Sequence, residues 1–266
     1  MVKEIPLSGG NVSTQVVRIE ETVRKPPTPF DPAVTALLER FEKGGIAGVP
    51  RTRGGDAQGR RILTWLPGAT DFPDRMWTDL VTLKSAARLL RVIHDASVPL
   101  VGQDHRWAIT TPGAPADIVI GHSDFAPYNM VFRSDGTVTG VFDFDLAGPA
   151  PRGRDLAYLA WWMVPLGQQD IAMAAATARD VEDGSPRLKE LCHTYGHAAD
   201  DALLDMVAQV LDHMGDARAI QAMTGETATA KLQAEGHLAH WQRAAADFSL
   251  LRPRVTANLG RSGQSR

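Results

Sequence analysis

The stretch that decides the fold is residues 121–129, GHSDFAPYN, together with residues 141–145, VFDFD. The apolar run at residues 118–120, IVI, predicts a short buried strand that ends where these polar residues begin. Asp124 therefore lies in a loop that leaves a buried strand, and Asn129 lies where the chain enters the next one. Both side chains are placed to reach a cleft.

A predicted hairpin brings the two stretches together. Residues 130–132 and 138–142 have the composition of two strands, and the Asp-Gly pair between them is a strong turn signal. Its antiparallel return places Asp143 beside the loop of residues 121–129. No lysine lies nearby in sequence to neutralise the acids of this cluster.

Two carboxylates and an amide oxygen at one end of a hairpin form a costly cluster unless a cation fills it, because like charges raise each other's pKa. Mg²⁺ takes oxygen ligands, typically one or two protein carboxylates together with phosphate oxygens. Phosphoryl transfer uses such a layout, in which one acid orients the attacking hydroxyl while an Asn and a second Asp hold metal against the phosphates. The sequence therefore favours a metal-dependent site here.

Three features resemble the aminoglycoside phosphotransferase and choline kinase-like enzymes, relatives of protein kinases: His122-x-Asp124-x4-Asn129, Asp143 after an apolar pair, and Asp155-Leu156-Ala157. The amino-acid sequence of residues 122–160 resembles that of a bacterial branch of this group labelled only "phosphotransferase" or "trifolitoxin-immunity-like". The resemblance implies an α+β, bilobal, protein-kinase-like fold. It would have a small antiparallel-sheet N-lobe and a larger, mostly helical C-lobe that carries a catalytic hairpin.

The resemblance also implies a role for each residue of the cluster. Asp124 would be the catalytic base, and Asn129 and Asp143 would be the metal ligands. His122 and Asp155 would support the loop.

The nucleotide-binding residues that the resemblance implies lie in the N-lobe. The backbone of Thr64 and Leu66 would hydrogen-bond the purine of ATP or GTP. Arg24 falls at the position of the family's sheet lysine. No glutamate stands at the matching helix position, where Asp31 and Glu39 are approximate substitutes. We therefore expect a modified nucleotide clamp.

Two features leave alternatives open. Asp145 is either a second metal ligand or a partner of backbone near the loop. The glycine-rich turn of residues 8–13, SGGNVS, is either a phosphate-binding turn or an ordinary hairpin turn.

The patterning along the chain predicts four segments. Residues 1–66 form an N-lobe that clamps nucleotide, and residues 67–77 form a hinge. Residues 78–252 form a helical C-lobe that carries the catalytic loop at 121–145. Residues 253–266 are expected to be a flexible tail, because the last fifteen residues, 252–266, hold four arginines, no acids and no apolar period.

The composition limits the partners. A formal net charge of −3 gives no reason to expect nucleic acid or an anionic membrane surface. The lone Cys192 excludes an internal disulfide and fits a reducing compartment, and the longest apolar run is too short to span a bilayer. We expect a cytoplasmic protein that is a monomer or a weak dimer.

The expected function is Mg²⁺-dependent transfer of the γ-phosphoryl group of ATP or GTP to a small-molecule hydroxyl, on an aminoglycoside or another amino-sugar or amino-alcohol. Two alternatives stay open: a catalytically weak kinase-like binding or immunity protein, and a metal-dependent hydrolase built on His122, Asp124, Asp143 and Asp145. Acids in the helical part could form a wall for a cationic acceptor, or they could simply be solvated: Asp170, Glu190, Asp200, Asp201, Asp205 and Glu226. Trp161 and Trp162 could line that pocket or belong to the core.

Overall fold

The computed structural model describes residues 3–7, 15–167 and 186–261. Its strands are, in chain order, β1 (Ile5–Pro6), β2 (Val17–Ile19), β3 (Thr22–Lys25), β4 (Thr52–Gly55), β5 (Arg61–Thr64), β6 (Ile118–Gly121), β7 (Met130–Phe132), β8 (Val138–Val141) and β9 (Gly148–Pro151). The α-helices of these ranges are α1 (Asp31–Lys43), α2 (Val81–Ser97), α3 (Arg152–Met163), α4 (Pro186–Tyr195), α5 (Asp201–Gly215), α6 (Ala217–Thr224), α7 (Glu226–Ala234) and α8 (His237–Arg261).

The small lobe is an antiparallel sheet of strand order β1-β2-β3-β5-β4 with α1 beside it. Strand β3 ends at Lys25 because the next two residues are prolines, which have no N–H to donate to a ladder. The register of β3 and β5 sets Lys25 directly opposite Arg61. The predicted glycine-rich turn of residues 8–13 lies outside the described residues.

Helix α1 joins the sheet to the rest of the molecule. Its apolar residues recur at helical spacing and are buried. The Phe41 ring lies 5.8 Å from that of Phe144, which follows the hairpin. Both rings belong to one continuous apolar core that also includes residues of α2, α3 and α5. The small lobe is therefore packed on the same core as the large one.

The predicted hinge is tied to the hairpin. Ala69 and Phe132 exchange backbone hydrogen bonds of 3.2 and 2.8 Å. Gly68 has a φ of 142°, and a Cβ there would lie 2.3 Å from the Val131 side chain, so only glycine fits this crossing. The linker therefore runs against β7 rather than through solvent.

The large lobe is helical around two small β units, so the predicted α+β architecture with a sheet lobe and a larger helical lobe is confirmed. Strands β7 and β8 form the predicted hairpin, with Met130 opposite Val141. Strand β6 pairs with β9, which the sequence did not reveal because two of its four residues are prolines. Within the described ranges, no helix has the length and apolar character needed to cross a membrane.

The expectation of a flexible tail from residue 253 is wrong for residues 253–261. Helix α8 continues through Pro253 to Arg261. Leu251, Val255 and Leu259 recur every four residues and pack on the core, with Val255 fully buried. Four arginines hid this period in the sequence. Residues 262–266 lie outside the described part of the chain.

Candidate active site

The β7–β8 hairpin carries the chain back to the loop that follows β6. Asn129 ends a short 3₁₀ turn before β7, and its carbonyl oxygen accepts a hydrogen bond of 2.9 Å from the Phe142 amide. Asp143 is the next residue, with a left-handed backbone (φ 67°, ψ 63°) that turns the chain away from the strand direction. The hairpin thus brings Asp143 next to the loop of Asp124 and Asn129.

Asp124 is held through both carboxylate oxygens. The Asn129 side-chain amide donates to Oδ2 at 2.9 Å and to the Asp124 carbonyl at 3.0 Å. The Tyr128 hydroxyl donates to Oδ1 and lies 2.8 Å from the Tyr158 hydroxyl. Burial raises the pKa of Asp124 above its usual value, and the hydrogen bond from Tyr128 opposes that rise.

Asp143 is the accessible acid of the cluster, with a side chain 39% exposed. Its Oδ1 lies 2.7 Å from Lys25 Nζ. The negative charge of Asp143 also contributes to the raised pKa of Asp124, so the two carboxylates interact electrostatically. The described residues provide no hydrogen-bond partner for Asp143 Oδ2 or for the side-chain oxygen of Asn129.

The structure places Lys25, rather than Arg24, beside the acids. Lys25 Nζ lies 2.7 Å from both Asp143 and Asp145, although it is 118 residues from Asp143 in the sequence. Neighbouring residues of a strand face opposite sides, so Arg24 points away and its Nε lies 3.7 Å from Asp56. The assignment of the lysine position to Arg24 is therefore wrong, and a lysine distant in sequence, Lys25, neutralises the cluster.

Asp145 is paired with side chains of the small lobe. Its carboxylate lies between two cations, with Lys25 Nζ 2.7 Å from Oδ2 and Arg61 Nη2 2.9 Å from Oδ1. Burial alone would raise the pKa of Asp145, but the charges of Lys25 and Arg61 lower it. Arg61 Nε in turn lies 3.0 Å from Asp31 of α1. Neither Lys25 nor Arg61 was predicted from the sequence as a site residue.

A buried polar network supports the loop. Asp155, in the first turn of α3, accepts backbone hydrogen bonds from His122 at 2.6 Å and Ser123 at 2.8 Å. His94 Nε2 lies 3.0 Å from the same carboxylate. A Cβ on Gly121 would lie 2.9 Å from Asp155, so glycine permits this close approach.

His122 is positioned by backbone on both sides of the site. Its Nε2 lies 2.9 Å from the Phe142 carbonyl, and its Nδ1 accepts a 3.3 Å hydrogen bond from the Asp124 amide. Both ring nitrogens are therefore engaged within the protein. The histidine and three acids of the hydrolase alternative form no metal cluster, because no group of three or more His, Cys, Asp or Glu suited to a metal occurs in the described part of the chain.

We expect Asp155→Asn to lower the free energy of unfolding at pH 7 by about 3–5 kcal/mol, because it breaks a buried charged network. Burial alone would raise the pKa of Asp155, but the hydrogen bond from His94 and the charge of Arg154 outweigh it and lower the pKa to about 2. An unfolded Asp titrates near pH ~3.9. The stability that this shift contributes is therefore complete above about pH 4 and is lost as the pH falls to about 2.

Urea unfolding at pH 7, 4 and 2.5 measures this effect. The difference between wild type and Asp155→Asn should shrink over that acid range. Asp205→Asn is the matched control, since Asp205 is exposed and pairs with Arg252 at the surface, and it should stay within about 0.5 kcal/mol of wild type. Equal stability of Asp155→Asn and wild type at pH 7 would contradict the prediction.

The residues predicted for the purine are placed as follows. The Thr64 amide donates to the Arg51 carbonyl at 2.9 Å, so it belongs to the sheet and is not available to a ligand. Leu66 borders a cavity of about 200 Å³ that is also lined by Pro67 and Val131. The purine-binding role of the Thr64 carbonyl and the Leu66 backbone stays a prediction.

Aromatic residues lie next to Asp124. The rings of Tyr128 and Trp162 are 5.3 Å apart and nearly perpendicular, and Trp162 also packs edge-on against Trp241 at 6.1 Å. Trp162 is half-buried, whereas Trp161 belongs to the core. Of the two tryptophans singled out in the sequence, Trp162 is thus the one near the site.

Comparisons with known proteins agree with this geometry. Residues 104–191 match the family described as "Phosphotransferase enzyme family". A trifolitoxin immunity protein of Rhizobium leguminosarum bv. trifolii is 32% identical over 178 residues, which are 65% of this chain and 66% of that protein. The match thus spans slightly less than two thirds of the relative's length.

Two solved structures share the fold. One is the GDP complex of aminoglycoside 2'-phosphotransferase-IIIa, 10% identical, with a TM-score of 0.51 over 98% of this chain and 94% of that one. The other is a microcompartment-associated aminopropanol kinase, 14% identical, with a TM-score of 0.52 over 90% and 93% of the two chains. At these identities the likeness shows the bilobal, protein-kinase-like fold alone. The chain is thus similar to the phosphotransferase enzyme family over residues 104–191, and it shares the fold of these two enzymes.

Proposed function

We propose that this protein is a small-molecule kinase that transfers the γ-phosphoryl group of ATP or GTP to a substrate hydroxyl with Mg²⁺. The observation that carries the proposal is the meeting of Asp124, Asn129 and Asp143 at one end of the hairpin, with Lys25 reaching them from the sheet. The match of residues 104–191 to the phosphotransferase enzyme family supports phosphoryl transfer as the reaction class. We place this activity in the cytoplasm, the compartment that supplies the nucleotide.

The residues present fit a magnesium ion. Mg²⁺ prefers oxygen ligands and usually retains phosphate and water oxygens beside one or two carboxylates. Asp143 Oδ2 and the side-chain oxygen of Asn129 have no protein partner among the described residues, and Asp143 is accessible. These two residues would hold the ion, which when bound would neutralise charge on the phosphates.

Asp124 is suited to orient the acceptor. Its carboxylate is fixed by Asn129 on one oxygen and by Tyr128 on the other. An aspartate cannot remove an alcohol's proton in the ground state, but in a loose transition state the proton leaves late and alignment dominates. Asp124 would align the hydroxyl with the γ-phosphate and accept its proton near the end of transfer. The raised pKa of Asp124 makes that acceptance more favourable.

Lys25 would supply the positive charge that the phosphates need in the N-lobe. Its Nζ is buried between Asp143 and Asp145, whose charges raise the pKa of Lys25 against the opposing effect of burial. The ammonium group is therefore charged and points into the cluster. This placement supports an intact nucleotide clamp rather than a modified one built on Arg24.

We propose an acceptor of the amino-alcohol or amino-sugar class, which includes aminoglycosides. The half-buried Trp162 and exposed Tyr128 beside Asp124 offer ring faces or edges to such a molecule. The acids considered as an acidic wall give little support, because most are engaged within the protein: Glu190 with Lys84, Asp205 with Arg252, Asp201 with Thr256, and Asp200 as the N-cap of α5. Asp170 lies outside the described residues.

A second candidate is a kinase-like binding protein that confers immunity by sequestering a toxin. The name of the 32%-identical relative, a trifolitoxin immunity protein, favours it. A missing sheet lysine no longer favours a binding protein, because Lys25 lies at the end of β3 beside the acids. Transfer of ³²P from labelled ATP or GTP to an amino-sugar panel separates the two, since a sequestering protein would show no transfer.

We expect Mg²⁺ with ATP or GTP, at about a hundredfold above the dissociation constant, to raise the Tm by about 5–10 °C. The physical reason is that the site binds nucleotide only in the folded state. A thermal-shift series with each nucleotide, with Mg²⁺ or with EDTA, measures this. The shift should shrink in EDTA and with AMP. An unchanged Tm with every nucleoside triphosphate and Mg²⁺ would contradict the kinase proposal.

A further inference from the structure

A chain of ion pairs connects the first residue of α1 to the lysine of the site. Asp31 pairs with Arg61 at 3.0 Å, Arg61 with Asp145 at 2.9 Å, and Asp145 with Lys25 at 2.7 Å. All four side chains are largely buried, with exposed fractions of 17%, 10%, 19% and 7% in that order. Ion pairs in such surroundings are screened little by solvent, so their geometry is firmly set.

The sheet register places the two cations of this chain side by side. Lys25 of β3 and Arg61 of β5 are directly opposite each other in the antiparallel pair, so their side chains share one face. Two adjacent buried cations would repel each other. Asp145 lies between them, with one carboxylate oxygen on each.

The two acids that bind Lys25 are therefore not equivalent. Asp145 has both oxygens in ion pairs, whereas Asp143 has one oxygen on Lys25 and a side chain that is 39% exposed. Asp143 is free to exchange Lys25 for a metal ion. Asp145 would then remain the partner that keeps the Lys25 ammonium group in place.

Helix α1 takes part only through its first residue. Among the described residues, the ion-pair partners of Lys25 are Asp143 and Asp145, and no acid from within α1 contacts it. The helix instead supplies Asp31, which reaches Arg61 from the N-terminal end. The connection from helix to lysine thus passes through an arginine and a second acid.

We propose that Arg61 and Asp31 are positioning residues for Lys25: they fix Asp145, and Asp145 aims the lysine at the nucleotide phosphates. The inference deepens the proposed kinase function and rests on it for the nucleotide. Arg61 donates a hydrogen bond to Asp145 through Nη2, whereas its buried Nε and Nη1 have no hydrogen-bond partner in the described part of the chain, so Asp31 acts on Arg61 through its charge at 3.0 Å.

The variants that test the inference are Arg61→Gln and the milder Asp31→Asn. In Arg61→Gln the nucleotide KM should rise at least tenfold, while the acceptor KM changes less than about twofold, because Lys25 would bind the nucleotide phosphates and not the acceptor. Asp31→Asn should raise the nucleotide KM by a smaller factor, and it should add nothing in the Arg61→Gln background, because it acts through Arg61. Arg61→Lys should restore part of the loss.

Arg53→Gln is the matched control. Arg53 lies on β4 and pairs with Glu42 of α1 at 3.2 Å, but both side chains are nearly half exposed, and neither belongs to the ion pairs that lead to Lys25. Its nucleotide KM should equal that of wild type. Circular dichroism and Tm of every variant separate misfolding from a local effect.

A second readout needs no nucleotide. Relaxation of the Lys25 ε-carbon by NMR, assigned with a Lys25→Arg variant, should show an ordered side chain in wild type and a mobile one in Arg61→Gln and Asp31→Asn. If Lys25 stays ordered in both folded variants, the inference is overturned whether or not the protein binds nucleotide. If wild type binds no Mg²⁺–nucleotide but Lys25 loosens as expected, the kinase function fails while the positioning chain stands.

Discussion

Asp124→Asn is expected to lower kcat by about 10²–10⁴-fold, the usual contribution of a positioned acid–base group. The substitution keeps the size of the side chain, and the new amide can accept from Asn129 through its oxygen and donate to the Tyr128 hydroxyl through its nitrogen. It removes the negative charge that, in the proposed mechanism, orients and finally deprotonates the acceptor. Affinity for the Mg²⁺–nucleotide complex should be almost unchanged, because in the proposed mechanism Asp124 aligns the acceptor and does not hold the phosphates. Steady-state kinetics with nucleotide binding by calorimetry measures both quantities.

The matched control is Asp135→Asn at the other end of the same hairpin. Asp135 is exposed in the turn and accepts a hydrogen bond of 2.9 Å from the Thr137 amide, which asparagine can also accept. Its kcat should equal that of wild type. Full turnover by purified Asp124→Asn would contradict the assignment of Asp124 as the catalytic base.

Asp143→Asn is expected to abolish the Mg²⁺ dependence of nucleotide binding. Loss of an outer partner of a metal ligand typically costs about 10–100-fold in metal affinity, and loss of the ligand's own charge should cost more. Lys25 keeps Asp145 as a partner in this variant, so the site should stay ordered. Calorimetric titration of nucleotide with Mg²⁺ and with EDTA measures the two affinities.

The two titrations should give nearly the same dissociation constant in Asp143→Asn and clearly different ones in wild type and Asp135→Asn. An Mg²⁺ effect of wild-type size in Asp143→Asn would show that the metal is held elsewhere. Paired with the Asp124 variant, the result separates acceptor alignment from metal binding within one hairpin.

Local patterns were enough to predict the centre of this site. Strand spacing and an Asp-Gly turn predicted the hairpin, and the hairpin alone brings Asp143 to the loop of Asp124. These are contacts of short sequence separation, so turn chemistry and a period of two largely determine them. The α+β class and the buried face of α1 follow from the same kind of pattern.

Contacts across long sequence separations could not be predicted in the same way. The strand of residues 22–25 ends with Arg24 and Lys25, whose side chains lie on opposite faces. Which of them enters the site depends on which face of the strand is turned toward the acids. Val23 offered the missing signal, because it shares a face with Lys25 and its apolar side chain favours the inner side. The pairing of Arg61 with Asp31 and Asp145 depends on three separate elements meeting, which no local period encodes.

Helix α8 shows how composition can hide a period. Leu251, Val255 and Leu259 form an apolar stripe, but a proline and several arginines lie between them. Proline in a helix removes one hydrogen bond, and burial of the stripe compensates for that loss here. Tertiary packing therefore determines that α8 continues through Pro253, where helix propensity alone predicts no helix.

The contact between Phe41 and Phe144 limits how far the sheet and α1 can move away from the helical lobe. Swinging the sheet and α1 outward together would expose an aromatic ring that is now buried, at a cost of about 1.5–3 kcal/mol for Phe41 alone. We therefore expect α1 to stay with the helical part when nucleotide enters, while the strands shift above it. Crystals grown with and without nucleotide should then superpose on α1 and the C-terminal helices as one rigid body.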